Sequence, residues 1–363
     1  MTGQNSARDF DWALIGLALA ISALGLVEIY SATLSTQWQD AHLRQAMWIV
    51  LGLALMWMVS AVDYNWWVEH VPAFYVAVLG LLVIVAVFGY IGGGARRWLA
   101  LPGGASLQIS EFVKVVLVLL VAYIFGELPR ERITLSKVGR LAGMFALMVL
   151  VVGAQPDLST ALSYIPILGI GAAMAGVRWK NWAALVIVCA LAVPLGWYSL
   201  KPYQKERLVA YMNPESDPQD TGYQAIQSRI AVGSGEIWGK GFAGGTQTQL
   251  RFLPTPHTDF IFSAYAEESG FAGVVVALTL YFALLMKIVS NAQTSADNSG
   301  MYICMGVAAV LFFHVVVNVA MVVGRMPVTG IPLPLMSYGG SNTITTFMLL
   351  GLVNNVRLRR FTN

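Results

Sequence analysis

The stretch WALIGLALAISALGLVEIY, residues 12–30, decides what kind of protein this is. Only Arg8 carries positive charge ahead of it. A signal-peptide core is shorter, roughly 7–15 residues, so this run reads as a retained membrane span. The rest of the chain agrees. Of 363 residues, 57% are hydrophobic and 11% charged, whereas soluble domains run to about 25% charged. Cys189 and Cys304 both sit in apolar runs and make no disulfide framework. A net charge of +3 without a basic run outside the ends gives no sign of a nucleic-acid partner.

Apolar runs long enough to cross the bilayer fall near 11–31, 44–61, 72–90, 107–126, 138–154, 157–176, 182–200, 259–287, 300–324 and 341–356. The sequence therefore predicts an all-α polytopic membrane protein of about ten transmembrane helices, residues 1–363 forming a single integral membrane domain. An even number of spans puts both termini on one side. With that side cytoplasmic, the short inner segments hold Arg8, Arg130, Arg132, Lys137, Arg140, Arg178, Lys180, Lys287, Arg357, Arg359 and Arg360, against Arg44, Arg96, Arg97 and Arg325 outside. The positive-inside rule favours this orientation.

Residues 201–258 then form a large extracytoplasmic loop between spans 7 and 8. Residues 225–232 have the pattern of a short amphipathic helix lying on the membrane. Gly239-Lys240-Gly241 resembles a phosphate-binding loop only faintly, since no Walker pattern surrounds it. No inverted repeat of the kind common in secondary transporters is apparent.

At the end of this loop Pro254-Thr255-Pro256-His257-Thr258-Asp259-Phe260 runs into the eighth span. A carboxylate there either caps the helix or acts on something arriving from the membrane surface. His257 beside it suggests a His–Asp pair, but no nucleophile motif accompanies them. Glu111 and Lys114 stand three apart in the fourth span and share a helical face. They form either a mutually neutralising pair or, in the sharper reading, a lysine aimed at a phosphate. Gly92-Gly93-Gly94-Ala95-Arg96-Arg97-Trp98 presents two guanidiniums and an indole on flexible backbone, a combination suited to a diphosphate. Asp157, after Pro156, reads first as a helix cap. No His or Cys cluster has metal-ligand spacing, which leaves a Mg²⁺ or Mn²⁺ held mainly by substrate phosphates. Residues 325–341 are apolar yet broken by Pro327, Pro332, Pro334, Gly330, Gly339 and Gly340. Non-helical backbone at membrane depth is tolerated only where it is buried or lines a cavity, so this segment reads as a re-entrant outer loop between spans 9 and 10, walling a groove.

Taken in order, Gly94-Ala95-Arg96-Arg97-Trp98, Gln155-Pro156-Asp157, His257-Thr258-Asp259-Phe260-Ile261-Phe262, Asn318, Gly324, Pro327, Gly330 and Ser337-Tyr338-Gly339-Gly340-Ser341 resemble the motifs of the SEDS (shape, elongation, division and sporulation) family. Asn342 departs from the usual pattern. Phe252-Leu253-Pro254, Gly239-Lys240-Gly241 and Gly330-Ile331-Pro332-Leu333-Pro334 are more similar to the elongation branch than to the division branch. The resemblance implies a glycosyltransferase of the bacterial cytoplasmic (inner) membrane that polymerises lipid II into peptidoglycan on the outer leaflet. It implies as partners a class B penicillin-binding protein, the transpeptidase, and other elongation-complex membrane proteins. Asp259 matches the family's essential aspartate, here the expected general base. Arg96, Arg97, Trp98, Glu111, Lys114, Asp157, Lys240, His257, Thr258 and Ser337 are the expected contacts to diphosphate or sugar. A diphosphate leaving group needs no second carboxylate as general acid, unlike glycoside hydrolysis; one base and cations for the diphosphate suffice. A lipid II flippase, a division-type polymerase and a noncatalytic scaffold are the alternatives. A flippase would need matching polar residues on the cytoplasmic half, and a scaffold gives Asp259 nothing to do beyond capping.

Overall fold

The computed structural model describes residues 10–92, 95–100, 106–126, 135–177, 202–213 and 221–360. The protein is helical and multi-pass. Six helices among the described residues are long and apolar enough to span a membrane. They are α1 (Trp12–Thr33), α2 (Ala41–Ala61), α4 (Val71–Phe88), most of α6 (Leu135–Ala154), α12 (Ile261–Gln293) and α13 (Asn298–Val322). α3 (Tyr64–Glu69) is a short connector.

Ten was the expectation, and the difference has physical reasons. α5 (Ile109–Phe125) has 17 residues and is almost wholly enclosed by its neighbours. α14 (Gly340–Leu358) carries Thr343, Thr345, Thr346, Asn354 and Asn355, all buried, and so falls short on apolarity. The run expected at 157–176 is broken into α7 (Leu158–Leu162) and α8 (Ile165–Met174), with Pro166 in the first turn of α8. Proline at that position suits a helix start and cannot continue one. The run expected at 182–200 lies outside the described residues.

α13 lies at the centre, packed against α12, α5, α8 and α14. α14 packs most extensively on α2. Gly52 admits the Phe347 ring and Gly351 faces Met56, the small-residue close approach common between helices in lipid. Hydrogen bonds reinforce the pair: Gln45 Nε2 donates to Thr343 Oγ1 (2.9 Å), and Asn355 Nδ2 to the Val59 carbonyl (2.7 Å).

At one end of the bundle Asp11 caps α1, accepting from Leu14 N (3.3 Å), and pairs with Lys287 and Arg357, both at 3.3 Å. The start of α1 thus meets the last turns of α12 and α14. Whatever stands before α12 and α14 is at the opposite end.

Two features depart from plain helices. Tyr90–Gly92 (β1), Ala95–Ala100 (β2) and Ser106–Leu107 (β3) form a three-stranded antiparallel sheet, ordered β1-β2-β3. The arginine-bearing segment is therefore a strand rather than flexible backbone. The second is a break inside α12 at Gly270, whose φ of 65° and ψ of −168° belong to a region that essentially only glycine occupies. Such a break frees backbone groups that lipid cannot satisfy. The loop at 236–241 supplies the partners. Lys240 N donates to the Glu267 carbonyl and Gly241 N to that of Glu268, while Phe271 N and Ala272 N donate to the Glu236 and Ile237 carbonyls, all at 2.9–3.0 Å. The glycines around Lys240 serve this close backbone approach, since a side chain at Gly239 would run into the Glu268 carbonyl.

Three helices lie among the described residues of 201–258: α9 (Pro202–Met212), α10 (Thr221–Ser234) and α11 (Thr246–Gln249). α10 covers the amphipathic stretch and packs on α12. Its Ser228 Oγ hydrogen-bonds Ser263 Oγ and the Val322 carbonyl, both at 2.8 Å.

Candidate active site

A cavity of about 1220 Å³ opens at the end of the bundle opposite Asp11. Its walls come from the sheet (Arg97, Trp98), the start of α5 (Gln108, Glu111), α7 (Ser159, Thr160), α9 (Arg207) and the loop before α12 (Thr258, Asp259). The non-helical segment between α13 and α14 closes it with Pro327–Gly330, Pro332 and Tyr338. That segment has its apolar side chains Ile331, Leu333, Leu335 and Met336 buried. Lining a cavity while buried in protein is the condition its sequence predicted.

Asp259 precedes α12, whose N-cap is Phe260 with no side-chain capping bond. The capping explanation for this carboxylate therefore does not hold. Its carboxylate oxygens accept no hydrogen bond from any described residue, and Oδ2 faces Gly330, where an added Cβ would lie 3.4 Å away. Partial burial pushes the carboxyl above its ordinary range, and the Arg207 guanidinium pulls it back down. Asp259 is held through its backbone. Asn318 Nδ2 on α13 donates to the Asp259 carbonyl (2.9 Å) and the Ile331 carbonyl (2.8 Å), tying the loop before α12 to the re-entrant segment. Ser337 Oγ does the same one residue earlier, donating to the Thr258 carbonyl (2.8 Å) and accepting from Leu333 N (2.8 Å). Ser337 is fully buried and acts as this pin rather than as a cavity wall.

Asp157 is also no backbone cap, although it stands at the N-cap of α7. Its carboxylate collects side-chain donors: Gln108 Nε2 (2.7 Å), Thr160 Oγ1 (2.9 Å), Ser110 Oγ (3.0 Å) and Arg97 Nη1 (3.3 Å). It anchors the sheet, α5 and α7 to one another, and it holds Arg97 at the cavity wall.

Other expected contacts are placed elsewhere. Lys114 is 2% exposed, with Nζ 2.8 Å from Glu111 Oε2 and 3.3 Å from His314 Nε2, and it does not reach the cavity wall. Glu111 does. Arg96 turns away and donates to the Val87 carbonyl (3.2 Å). Lys240 pairs with Glu267 (2.7 Å) and Thr246 Oγ1 (2.7 Å), far along α12 from the cavity lining. Glu267 is fully buried and also accepts from Gln247 N and Thr248 N, so this pair folds the loop at 240–250. His257 forms no pair with Asp259. Its ring packs against Trp38 and Tyr338 at centroid distances of 5.7 and 5.8 Å, and burial lowers its pKa.

Sequence reading passed over Gln108, Arg207 and His314 as site residues. Arg207 is an arginine in a long polar loop with no motif around it, and Gln108 carried no signal at all. His314 Nδ1 lies 3.1 Å from the Pro332 carbonyl, so it donates there and leaves Nε2 to accept from Lys114.

A divalent ion finds no ready protein cage. No cluster of three or more His, Cys, Asp or Glu suited to a metal occurs among the described residues. Of the carboxylates lining the cavity, Asp157 is held by several donors and Glu111 is paired with Lys114, whereas Asp259 accepts no hydrogen bond from a described residue.

Comparison with known proteins agrees with the motifs. The sequence profile of a family named for FtsW, RodA and SpoVE, described as cell cycle protein, matches residues 11–361. Peptidoglycan glycosyltransferase MrdB of Escherichia coli K12 is 37% identical over 359 residues, covering 96% of this chain and 94% of that protein. A chain from a peptidoglycan synthase complex, solved in a study of how polymerization and crosslinking are coordinated, superposes with a TM-score of 0.83 at 33% identity, covering 98% of this chain and 99% of that one. The rod shape determining protein RodA of Thermus thermophilus gives a TM-score of 0.73 at 31% identity, with 98% of each chain covered. This chain therefore belongs to the FtsW, RodA and SpoVE family of cell cycle proteins, the SEDS family its motifs resemble.

Proposed function

We propose that the protein is the elongation-type peptidoglycan glycosyltransferase of its cell, polymerising lipid II into glycan strands with Asp259 as general base. The observation that carries this is the Asp259 carboxylate, which accepts no hydrogen bond from a described residue and opens into a cavity of about 1220 Å³ that also holds Arg97 and Arg207. Kinship with MrdB and RodA supports the reaction and the elongation role.

In this reading an acceptor sugar hydroxyl lies against Asp259. The hydroxyl oxygen attacks the anomeric carbon of the α-linked donor while an Asp259 oxygen takes the proton. The C1–O bond to the diphosphate breaks with its electron pair going to the lipid diphosphate, and inversion leaves a β-linked glycan. Burial raises the affinity of Asp259 for the proton, and Arg207 keeps the carboxylate ionised beforehand, both useful in a base. Arg97 and Arg207 face the charge that develops on the leaving diphosphate. A Mg²⁺ or Mn²⁺ would ride on that diphosphate with Asp259 as the available protein ligand, adding charge neutralisation.

The reading includes a class B penicillin-binding protein as transpeptidase partner, supported by the likeness to a complex that couples polymerization to crosslinking. Other elongation-complex membrane proteins belong with it. It also includes ten spans in the bacterial cytoplasmic membrane, a single domain over residues 1–363, both termini cytoplasmic, and the cavity facing outward at the level of residues 201–258. Support for that sidedness comes from the excess of basic residues on the Arg8 and Arg360 side, and from Asp11, Lys287 and Arg357 meeting at the bundle end away from Asp259.

The test is Asp259→Asn. Asparagine keeps the shape but cannot accept the proton, so the variant is expected to fold, to bind its transpeptidase, and to make no glycan from purified lipid II. Glycan strands from that variant would rule out the base assignment. A wild-type protein that moves lipid II between leaflets without polymerising it would rule out the enzyme.

A further inference from the structure

Trp38 stands in the turn between α1 and α2 and is 46% exposed, yet it lines the Asp259 cavity. A tryptophan near the membrane surface commonly anchors a protein in the headgroup layer, but such an anchor faces lipid. Trp38 leans the other way. Its ring centroid lies 5.7 Å from that of His257 and 6.3 Å from that of Tyr338, and those two are 5.8 Å apart. His257 is buried and Tyr338 half-buried, so the indole is the member of this cluster that shows a broad apolar surface to the cavity.

The turn that carries the indole is fixed. Trp38 N donates to Thr36 Oγ1 (3.1 Å), which itself donates to the Thr33 carbonyl (3.0 Å), and Ala41 N donates to the Trp38 carbonyl (2.9 Å). Ser35 Oγ donates to the Gln249 carbonyl (3.2 Å) and Gln249 Nε2 to that of Ser31 (3.0 Å), so the end of α1 and α11 hold each other. On the other side, Tyr338 N donates to the His257 carbonyl (2.9 Å), while Ser337 and Asn318 hold the carbonyls of Thr258 and Asp259. The indole therefore rests on the same pinned run that carries the Asp259 carboxylate two residues on. A molecule stacked on it has its orientation fixed relative to that carboxylate.

A β-linked N-acetylglucosamine ring, the terminal sugar of lipid II, suits this surface. Its hydroxyls and acetamido group are equatorial, and the axial C–H groups at C1, C3 and C5 make one face apolar. That face packs on an aromatic ring, where weakly positive hydrogens meet the negative π cloud. The hydroxyls then project from the edge of the stack, where a base beside the platform can reach one. A diphosphate has no such face, and a polyprenyl chain there would strip water from Thr258 and Asp259 without replacing its hydrogen bonds.

We propose that Trp38, braced by His257 and Tyr338, is the stacking platform for the acceptor sugar, the hexosamine ring that offers its hydroxyl to Asp259. The inference rests on the polymerase reading and gives that reading a station for one of its two sugars.

Two analogues separate acceptor from donor. Lipid II with a methylene in place of its anomeric oxygen accepts but cannot donate, and lipid II lacking the attacking hydroxyl of its terminal sugar donates but cannot accept. Binding of the first is titrated on the full-length protein in phosphatidylcholine nanodiscs by native mass spectrometry. A single coupling between the two, with the transpeptidase partner present, gives a KM for each. Trp38→Ala is expected to weaken acceptor binding about three- to tenfold, the scale of one aromatic contact. Most of the loss in coupling should fall on the acceptor KM rather than on kcat, and the donor KM should hold. Trp38→Phe keeps a ring and should stay within about twofold of wild type, while Trp38→Leu keeps bulk without a ring and should fall with alanine. Thermal unfolding should match wild type in all three, since the position is an exposed turn. The proposal is overturned by unchanged acceptor affinity in Trp38→Ala, by leucine binding as well as tryptophan, or by a rise in the donor KM alone. A wild type that binds the acceptor through Trp38 yet couples nothing would leave the platform standing and sink the polymerase reading beneath it.

Discussion

Replacing Lys114 with methionine separates two roles for a buried cation. Lys114 and Glu111 are 2% and 4% exposed, and their charged atoms are 2.8 Å apart. Methionine keeps most of the stem volume and removes the charge, leaving the Glu111 carboxylate enclosed with no counter-ion. Stranding one member of a buried pair costs about 3–5 kcal/mol. In the double variant Glu111→Gln/Lys114→Met neither charge remains, and the chief defect is His314 Nε2, which loses the N–H it accepts (3.3 Å). An acceptor left unsatisfied costs about 1–3 kcal/mol, so the second substitution should restore roughly 2 kcal/mol. At about 2 °C per kcal/mol for a chain of this size, the single variant should lose roughly 6–10 °C in Tm and the double roughly 2–6 °C. Thermal unfolding in detergent measures this, and lipid II polymerisation is read on the same preparations. A double variant that regains both stability and polymerisation makes the pair structural. One that regains stability but stays inactive gives the charged pair a part in the reaction beyond folding. A Lys114→Met protein that melts like wild type refutes the buried pair altogether.

Two further outcomes follow from the geometry. Gly270→Ala places a Cβ against Gly239 N and 2.6 Å from the Ile237 carbonyl, at a φ of 65°. Backbone cannot yield as a side-chain tip can, so this substitution is expected to cost several kcal/mol or more, roughly 1–3 from the dihedral alone. Normal folding yield and Tm would show that the break in α12 is not required. Arg207→Gln removes the cation that draws the Asp259 pKa down. In the proposed mechanism the base works ionised, so activity falls as pH drops through that pKa, and without Arg207 the acid limb of the polymerisation profile should move to higher pH. An unmoved limb, or one displaced to lower pH, would show that Arg207 does not act on Asp259.

Membrane class and the non-helical segment at 325–341 were legible in the residues. Apolar runs and charge bias report directly on the solvent each segment meets, because lipid rejects unsatisfied backbone and charge. The count of spans was less legible. α5 and α14 are buried among other helices and need not be long or uniformly apolar, while Pro166 divides a run whose composition looks continuous. Among candidate residues, Asp259 and Arg97 reach the cavity as their types suggested. Lys240 and Lys114 are the same type in equally suggestive settings, yet Glu267 and Glu111 claim them. Which cation reaches the cavity is decided by packing, local for Lys114 with Glu111 and long-range for Lys240 with Glu267 and for Arg97 with Asp157. Asp157 and Asp259 make the point most sharply. Each follows a proline or lies near one at a helix start, and local chemistry gives both the same first reading as a cap. Only packing, which brings Gln108, Ser110 and Arg97 to one carboxylate and Gly330, without a side chain, to the other, decides that the first is a structural hub and the second opens on the cavity.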